Sequence, residues 1–443
     1  MRHPSYEHYE KTLAPWLNKR PTTWEERKLK FGVYLINKKV TAKEFDLEFL
    51  GLEHIESWTG KRIFNPNSQS DGTATKFESN DVLFGKLRPY LAKVYKAEKE
   101  GLATTEALIL RSGSDIEPDF LKYYLLSSEL IDVVDGSTYG SKMPRANYEF
   151  IGNLSTLVPE KEEQTKITTF LDYKTAKIDR LIEKKQALIE KLNEQRIAVI
   201  TQAVTKGLNP DVPMKDSEVD WLGEVPEHWK VRRLKFCCSY NDESLPDTTD
   251  SDLELNYVDI SSVNNFKGIT HIDSTTFKKA PSRARRIAKT GDIIVSTVRT
   301  YLKAITPILD EITNLIVSTG FVVIRANRNI INSNFLSYSI LSKGFIDSVV
   351  AYSKGVSYPA INASELVTIP IAFPRRKSDQ DKIADYIKNK ISSINRMIAV
   401  NIKTIDRLSE YRTALITAAV TGKIDVRHID IPNTEHTNGT STQ

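Results

Sequence analysis

The stretch WLNKRPTTWEERKLKF, residues 16–31, recurs as WLGEVPEHWKVRRLKF at residues 221–236, which lies 205 positions later and aligns without a gap. Eight of the sixteen positions are identical, among them two tryptophans, a proline, an arginine and the final Leu-Lys-Phe. Such a dense match between two distant parts of one chain indicates an internal duplication. The sequence therefore predicts one structural unit that is built twice.

The duplication extends along most of the chain. NDVLFGKLRPYL (80–91) corresponds to GDIIVSTVRTYL (291–302), GSKMPRAN (140–147) to GVSYPAIN (355–362), and EQRIAVITQAVTKGL (194–208) to EYRTALITAAVTGKI (410–424). The offset between the copies grows from 205 to 216 residues, which indicates small insertions in the connecting loops. We expect two copies of one fold that differ mainly in their loops.

The first part of each half predicts a globular domain of mixed α/β (α+β) class. Short apolar runs such as DVLF and FVVIRA alternate with Gly, Asn, Ser and Asp clusters, which is typical of strands and turns. FLKYYLLSSELIDVV (120–134) and FLSYSILSKGFIDSVV (335–350) have apolar residues at helical spacing. Each of these two segments is expected to form a helix packed on the sheet.

The second part of each half predicts one long helix. Residues 162–203 lack Gly and Pro and have a near-heptad apolar stripe that includes Leu171, Ile178, Leu181, Leu188 and Leu192. A second stripe runs from Ile387 to Leu415 through Ile402. A helix of about 63 Å cannot bury its stripe against one small domain, so it needs a partner helix, which the other half offers. The alternative, two independent helical linkers, would leave both stripes exposed to water. We expect a pair of long antiparallel helices related by a pseudo-two-fold axis.

These patterns divide the chain into five segments. We expect two similar domains at residues 1–160 and 209–375, helices at 161–208 and 376–425, and a polar, disordered tail at 426–443. The four matched tryptophans are expected to anchor each domain on its helix. Asn147 and Asn362 are expected to cap the turn or helix that follows them.

Composition limits the class of protein. The 443 residues are 40% hydrophobic with a net charge of +5, which is typical of a globular protein and permits binding to nucleic acid without establishing it. No apolar run is long enough to span a membrane and no signal peptide is recognisable, so a cytoplasmic location is expected. The only two cysteines, Cys237 and Cys238, are adjacent and are expected to be reduced thiols in a strand.

Two similar surfaces held apart by paired helices suit a target that has two parts. On duplex DNA, two such surfaces can each enter a major groove when they are separated by about one helical turn of 34–36 Å or a multiple of it. Because the two domains share a frame but differ in their loops, they should recognise different half-sites. The prediction is an asymmetric, gapped DNA sequence.

The repeated tryptophan segments, VPEKEEQTKITTFLD (158–172) and ITAAVTGKID (416–425) closely resemble the specificity subunit of type I restriction-modification systems. The likeness covers residues 16 to 425. It implies two target recognition domains, each followed by a conserved helix, that bind double-stranded DNA and dock two methyltransferase subunits and restriction/translocase subunits. FPRRKSDQDKI departs from the pattern, because it keeps Gln380 but not the acidic residue of the Glu163–Gln164 pair.

No catalytic or metal site is predicted in this chain. It has no Asn/Asp-Pro-Pro-aromatic motif for a flipped base, Gly136–Lys142 is too short for a phosphate-binding loop, and the seven histidines form no metal motif. S-adenosylmethionine, ATP and magnesium are expected in partner subunits and no cofactor in this chain. Two alternatives remain open, a duplicated scaffold that binds only proteins and, less favoured, a self-contained DNA-modifying enzyme.

Candidate DNA contacts are polar or basic residues beside strands or loops that recur in both halves. Arg88 and Arg299 are favoured as phosphate clamps or structural ion pairs over base readers, because matched residues are poorly suited to different half-sites. From Lys278 to Lys303 eight basic residues face one acid, a local excess of seven positive charges. The full set of candidates is Lys61, Arg62, Lys76, Arg88, Tyr90, Lys142, Arg145, Lys267, Lys278, Lys279, Arg283, Arg285, Arg286, Lys289, Arg299, Tyr301, Ser357 and Tyr358.

Overall fold

The computed structural model describes residues 3–14, 16–64, 72–138 and 142–431. The chain divides into two compact units: unit 1 contains residues 1–185 and 403–443, and unit 2 contains residues 186–402. The predicted tail from residue 432 onward lies outside the described residues. Val426, which was predicted to begin that tail, is buried in the core of unit 1.

Unit 1 contains two four-stranded sheets and two short strand pairs. One sheet has the order β5-β7-β10-β6 and the other β4-β11-β8-β9, while β1 pairs with β2 and β12 with β3. Its elements are β1 Tyr9–Lys11, β2 Lys19–Pro21, β3 Glu25–Lys28, β4 Val33–Ile36, β5 Lys39–Thr41, β6 Phe49–Leu50, β7 Thr73–Phe77, β8 Val82–Gly85, β9 Val94–Lys96, β10 Gly101–Thr104, β11 Ala107–Ser112, α1 Pro118–Leu125, α2 Ser128–Gly136, α3 Tyr148–Asn153 and β12 Ser155–Val158.

Unit 2 repeats this arrangement. The sheet β16-β25-β22-β23 has the same order as β4-β11-β8-β9, and the second sheet has the order β20-β17-β24-β21. Its elements are β13 Met214–Asp216, β14 Glu224–Pro226, β15 Trp229–Arg233, β16 Cys238–Tyr240, β17 Glu254–Val258, β18 Val263–Asn264, β19 Gly268–Ile269, β20 Asp273–Thr276, β21 Ala284–Ile287, β22 Ile293–Ser296, β23 Ile305–Pro307, β24 Leu315–Ser318, β25 Phe321–Ala326, α5 Ser333–Ile340, α6 Lys343–Ala351, α7 Ala363–Leu366 and β26 Pro370–Pro374.

The second sheets of the two units differ at their edges. Both contain a parallel pair, β6 with β10 in unit 1 and β17 with β24 in unit 2. The additional strand lies beside β7 in unit 1 but beside β17 in unit 2, so it extends opposite edges of the shared core. This confirms a duplicated mixed fold whose copies differ in their peripheral parts.

The prediction of a single helix at 120–134 and at 335–350 is wrong, because each segment forms two helices. The break falls at Ser127 in unit 1 and at Ser342 in unit 2, where the buried hydroxyl donates to the carbonyl oxygen three residues earlier at 2.6 and 2.7 Å. Serine commonly competes in this way with continued helical hydrogen bonding. The Asn147 side chain caps α3 by accepting from the Glu149 backbone N–H at 2.9 Å, and Asn362 occupies the N-cap position of α7, where its backbone N–H donates to the Glu365 side chain at 3.3 Å.

The two long helices are confirmed as α4, Lys161–Lys206, and α8, Lys377–Val420. Each unit contains a segment of both. In unit 1, Leu171 of α4 and Leu415 of α8 share one core, and in unit 2 Ile200 of α4 and Ile387 of α8 do so. None of the helices in the described parts of the chain is long and apolar enough to cross a membrane.

The predicted apolar stripes are partly wrong at the middle of the helices. Leu181 and Leu188 on α4 are 46% and 41% exposed, and Ile402 on α8 is 45% exposed while its neighbour Asn401 is buried. A straight α-helix drifts away from a strict seven-residue repeat, so a stripe read over six turns cannot keep every member on one face. These side chains lie on the solvent-facing side of the helices within their units.

A buried glutamine fixes the start of each long helix on its own domain. In unit 1 the Gln164 side chain donates to the Pro159 and Asp115 carbonyl oxygens, both at 2.8 Å, and accepts from the Glu117 backbone N–H at 2.8 Å. In unit 2 Gln380 donates to the Pro374 carbonyl at 2.8 Å and accepts from a backbone N–H at 2.7 Å. The glutamine that the second copy retains therefore makes the same principal contacts.

The anchor prediction is confirmed for Trp24 and Trp229, whereas Trp221 lies beside Gly344 of α6. Trp24 and Trp229 are 1% and 2% exposed, and their indole rings lie beside Gly422 and Gly207, just after the ends of α8 and α4. Both glycines have positive φ, of 70° and 77°, which ends a helix without steric cost. Each domain thus packs against the end of the helix that enters it from the other repeat.

Arg412 ties α8 to unit 1 through three hydrogen bonds. Its guanidinium donates to Asp179 on α4 and to the carbonyl oxygens of Trp58 and Thr59, each at 2.9 Å. The side chain is only 6% exposed. The corresponding residue in unit 2, Arg196, is less deeply buried and makes one comparable bond, to the Phe266 carbonyl at 2.9 Å.

We predict that R412A lowers the free energy of unfolding of unit 1 by about 2–3 kcal/mol, because the Trp58 and Thr59 carbonyls lose their donor and Asp179 keeps only its ion pair with Lys61. R196A, the matched control, should cost unit 2 about 1 kcal/mol, which is typical of one hydrogen bond. Urea unfolding of the full-length variants, followed by circular dichroism, measures both. Equal losses of unfolding free energy in the two variants would contradict the expectation that Arg412 stabilises its unit more than Arg196 does.

The adjacent cysteines lie in the core of unit 2 as free thiols. Cys237 ends a short 3-10 helix and Cys238 begins β16. Burial raises the pKa of the Cys237 thiol to about 11 and that of Cys238 to about 12. Since the thiolate is the reactive form, both side chains are held in their unreactive state.

At pH 8 the folded chain should therefore show no measurable reaction with a thiol-specific chromogenic reagent, because about one thiol in a thousand or fewer is ionised. After denaturation in guanidinium chloride, both cysteines should react. Fast labelling of the native chain would show that these thiols are accessible and would refute their assignment to a closed core.

Candidate nucleic-acid interface

The matched arginines lie in backbone loops of the same shape. In unit 1, Arg88 follows β8 with a left-handed φ of 53°, and a 3-10 helix, Pro89–Leu91, comes next. In unit 2, Arg299 follows β22 with a φ of 50°, before the 3-10 helix Thr300–Leu302. Left-handed backbone is uncommon for residues other than glycine, so its presence at both arginines marks a built feature. We call these segments, residues 86–92 and 297–303, the arginine loops.

A second segment packs beside each arginine loop. In unit 1 the Arg88 backbone N–H donates to the Pro144 carbonyl at 2.8 Å, and Leu87 forms a β-bridge with Arg145. In unit 2, Val298 forms the corresponding bridge with Ala360. The structure thus brings together the two segments that the repeat comparison selected, residues 142–147 with the first arginine loop and 354–362 with the second.

The side chains at these tips face solvent. Tyr90 and Tyr301 are 45% and 52% exposed, and Arg88 and Lys142 are also exposed. Arg299 lies over the exposed Tyr358 ring, with its guanidinium carbon 5.2 Å from the ring centroid. Within the described residues, no acidic side chain pairs with either arginine of the loops. The ion-pair alternative for these two residues thus lacks support.

A cleft in unit 2 adds a third element to this surface. It is lined by Arg283, Asp259, Val298, Arg299 and Ser318 among others. Arg283 pairs with Asp259 at 2.7 Å and donates to the Tyr257 hydroxyl at 3.1 Å. Burial of the Asp259 carboxyl acts to raise its pKa. The hydrogen bonds that the carboxylate accepts and the charge of Arg283 outweigh this effect and lower the pKa. Arg283 and Arg299 therefore line one cleft, with one of the two guanidinium charges already compensated.

The structure changes the interpretation of the basic cluster between Lys278 and Lys303. Acidic residues from other segments of the chain pair with some of these bases. The excess of seven positive charges counted along the sequence is therefore smaller in the folded domain. Lys289 lies 2.6 Å from Glu243, Arg285 lies 3.4 Å from Asp247, and Arg283 pairs with Asp259. Lys278, Lys279, Arg286 and the nearby Lys267 have no acidic partner within the described residues. A charge count along the sequence cannot register partners that the fold supplies.

The basic candidates of unit 1 outside the arginine loop are mostly paired as well. Lys61 lies 2.8 Å from Asp179 and Lys76 lies 2.8 Å from Glu100. Arg62 pairs with Glu48, whose pKa this hydrogen bond lowers to about 2. Arg145 is exposed but lies 3.0 Å from Glu106. Lys61, Arg62 and Lys76 therefore each form an ion pair within unit 1.

Several exposed apolar residues lie at the loop tips, and of these only Met143 was marked by the sequence, as a position that differs between the repeats. In unit 2, Tyr352, Val356 and Leu302 are 60%, 102% and 48% exposed, and in unit 1 Met143 is 49% exposed. Their hydrophobicity favours burial, so sequence patterns alone predict core positions. The left-handed Gly355, with a φ of 110°, helps turn the 354–362 segment outward. Apolar tips of this kind can contact thymine methyl groups or bases.

Comparison with known proteins adds a separate line of support. Residues 226–404 match the family described as type I restriction modification DNA specificity domain. The chain is 22% identical over 382 residues to the type I restriction enzyme MjaVIII specificity subunit of Methanocaldococcus jannaschii, covering 81% of this chain and 85% of that subunit. A putative type I restriction enzyme MjaX specificity subunit of the same organism is 24% identical, covering 92% of this chain and 95% of the other.

A solved structure shares the fold. It is described as the structural basis underlying complex assembly and conformational transition of the type I R-M system, and one of its chains has a TM-score of 0.65 at 16% identity. The match covers 91% of this chain and 99% of that one. Residues 226–404 thus match a type I restriction modification DNA specificity domain, and most of the chain is similar to type I specificity subunits. The domain match and the similar subunits assign DNA sequence specificity to this chain.

For this specificity subunit, we predict that R299A weakens DNA binding by the assembled complex and lowers the slope of log affinity against log salt concentration by about 0.9, because one phosphate contact is lost. R88A should weaken DNA binding and lower the salt slope in the same way. K289A provides the control, since Lys289 already pairs with Glu243 and its removal should leave the slope nearly unchanged. Filter binding or fluorescence anisotropy at several salt concentrations measures the slope. A larger effect of K289A would place the phosphate contacts elsewhere.

Proposed function

We propose that this chain is a non-catalytic reader of an asymmetric bipartite DNA target, with one half-site for each recognition domain. The observation that carries the proposal is the arginine loop, which recurs in both units with the same left-handed backbone and the same exposed Arg and Tyr. Arginine and tyrosine at matching positions suit phosphate, which every half-site presents. The loops therefore position each domain on the duplex.

Base identity comes from the segments beside the arginine loops. Lys142, Met143 and Arg145 stand where unit 2 has Ser357, Tyr358 and Ala360. These pairs differ in charge, size and hydrogen-bonding capacity, on a backbone that the β-bridges hold in the same way. A shared frame with different tips supports two different half-sites, and hence an asymmetric target.

The recognition domains are assigned to residues 1–160 and 209–375, and the conserved helices to 161–208 and 376–425. Exposed apolar side chains on these helices support the docking of other subunits. Leu181 and Tyr411 in unit 1 and Leu188 and Ile402 in unit 2 are each between 41% and 49% exposed. The occupants are two methyltransferase subunits, which restriction/translocase subunits join.

Chemistry belongs to those subunits. S-adenosylmethionine serves the methyltransferase, while ATP and magnesium serve the restriction/translocase subunits, and the chain acts in the cytoplasm. A self-contained DNA-modifying enzyme would instead transfer methyl groups as the purified chain. A duplicated scaffold for proteins alone would show no sequence-selective, salt-dependent DNA binding in the complex. These two measurements separate the alternatives.

The test is genome-wide mapping of methylated adenines in cells that express the chain with its methyltransferase subunit, compared with cells that lack only this chain. We expect a gapped, two-part motif that disappears with the chain. A continuous motif, or an unchanged pattern after deletion, would reject the proposal.

A loop exchange supplies the matched variant. Replacing residues 140–147 with 355–362 should change one half-site and leave both the other half-site and the gap intact, because the frame that holds the segment is shared. Gly140 and Ser141 lie outside the described residues, so a shorter exchange of 142–147 for 357–362 serves as the control. A changed gap would contradict the separation of base reading from spacing.

A further inference from the structure

The duplicated stretch that opens each domain carries a matched set of exposed residues outside the arginine loops. Four positions match in type at the constant offset of 205 residues, two being basic, one phenylalanine and one large and apolar. All eight residues are exposed. They are Lys28, Lys30, Phe31 and Leu35 in unit 1 and Arg233, Lys235, Phe236 and Tyr240 in unit 2. We call these two groups the Lys-Phe patches.

The phenylalanines are the centre of the patches. Phe31 and Phe236 are 64% and 57% exposed, whereas Leu29 and Leu234, two residues earlier in the same 3-10 helices, are buried. A lysine ammonium lies over each phenyl ring, at 5.7 Å in unit 1 and 5.2 Å in unit 2. A single exposed aromatic residue is common on protein surfaces and needs no explanation. An exposed phenylalanine at the same position of two diverged repeats does call for one.

The patches are positively charged in both units. Among the described residues, no carboxylate pairs with Lys28, Lys30, Arg233 or Lys235. This contrasts with Arg283, Arg285 and Lys289 of the former charge cluster, which the fold pairs with carboxylates. An uncompensated basic rim around an exposed aromatic ring suits a partner surface with an apolar pocket edged by carboxylates.

The patches lie at the end of the sheet opposite to the arginine loops. In unit 1, β11 pairs with β4 at its Ser112 end, next to Phe31, and with β8 at its Ala107 end, next to the arginine loop. In unit 2, β25 pairs with β16 at Ala326 and with β22 at Phe321. A six-residue strand separates these ends by about 17–20 Å. DNA held by the arginine loops thus leaves the patches free.

We propose that the two Lys-Phe patches are a duplicated docking surface for two copies of one acidic protein partner. This inference rests on the proposed function, which supplies such a partner in the methyltransferase subunit, and the patches add a second contact to the one that the exposed helix residues make. Each phenylalanine enters an apolar pocket on one copy, and the basic rim pairs with carboxylates around that pocket. The duplication of the surface matches a partner that binds twice.

The experiment is native mass spectrometry of the full-length chain assembled with its methyltransferase subunit. The wild-type chain should carry two copies. F31S and F236S should each weaken one site by about 30-fold or more, as expected for an aromatic hot spot, and leave one copy at limiting concentration. The double variant should carry none under those conditions. Two copies retained by the double variant would overturn the inference.

Two exposed leucines without a counterpart in the other repeat provide the controls. Leu13 in unit 1 and Leu309 in unit 2 are 85% and 71% exposed, and L13S and L309S should still carry two copies. Thermal unfolding of each variant chain verifies that the substitutions leave the fold intact. Equal loss of the partner in controls and patch variants would also overturn the inference.

DNA binding is measured on the same samples with the partner at saturating concentration. The patch variants should then retain wild-type affinity and salt dependence. A loss of affinity with a reduced salt slope at saturation would assign the patches to DNA instead and overturn the inference. Failure of the wild-type complex to select any sequence would count against the proposed function itself, whatever the patches bind.

Discussion

The buried carboxamide of Gln164, with its counterpart Gln380, is the contact on which the geometry of each unit depends. Both side chains are fully buried and connect the last strand of the domain, a loop before the first domain helix and the first turn of a long helix. A buried carboxamide without its partners is costly, so the helix can leave the domain in one direction only. The orientation of α4 and α8 on their own domains follows from these bonds.

Much of the fold could be predicted from the sequence because each pattern occurs in both repeats. The gapless tryptophan segments, the two long helices and the caps at Asn147 and Asn362 depend on local patterns that hold in both copies. The breaks at Ser127 and Ser342 were missed, because one hydroxyl bond ends a helix without disturbing apolar spacing. Leu181 was misplaced because a heptad pattern does not register the slow rotation of a long helix.

The charges of the candidate interface were also only partly predictable from the sequence. Sequence comparison selected Arg88, Arg299 and the two matched segments separately, and the fold places each arginine beside residues of its segment. It overestimated the field of the 278–303 cluster, because Glu243 and Asp247 lie far away in the chain and near in the fold. Coulomb energy depends on distance in space, so clusters of charge are confirmed only once their partners are known. Within the described residues, the bases without an acidic partner include the arginines of the arginine loops, the Lys-Phe patches and Lys278, Lys279 and Arg286 of the cluster itself.

The burial of both thiols has a practical consequence for spectroscopy. Cys237 and Cys238 are the only sulfhydryl groups of the chain and lie inside unit 2. A cysteine introduced at an exposed site of either unit would then be the single reactive position, with the native pair left in place. Fluorophores or spin labels could report on each unit as DNA binds, against a silent background. A core feature with no part in recognition thereby makes recognition observable.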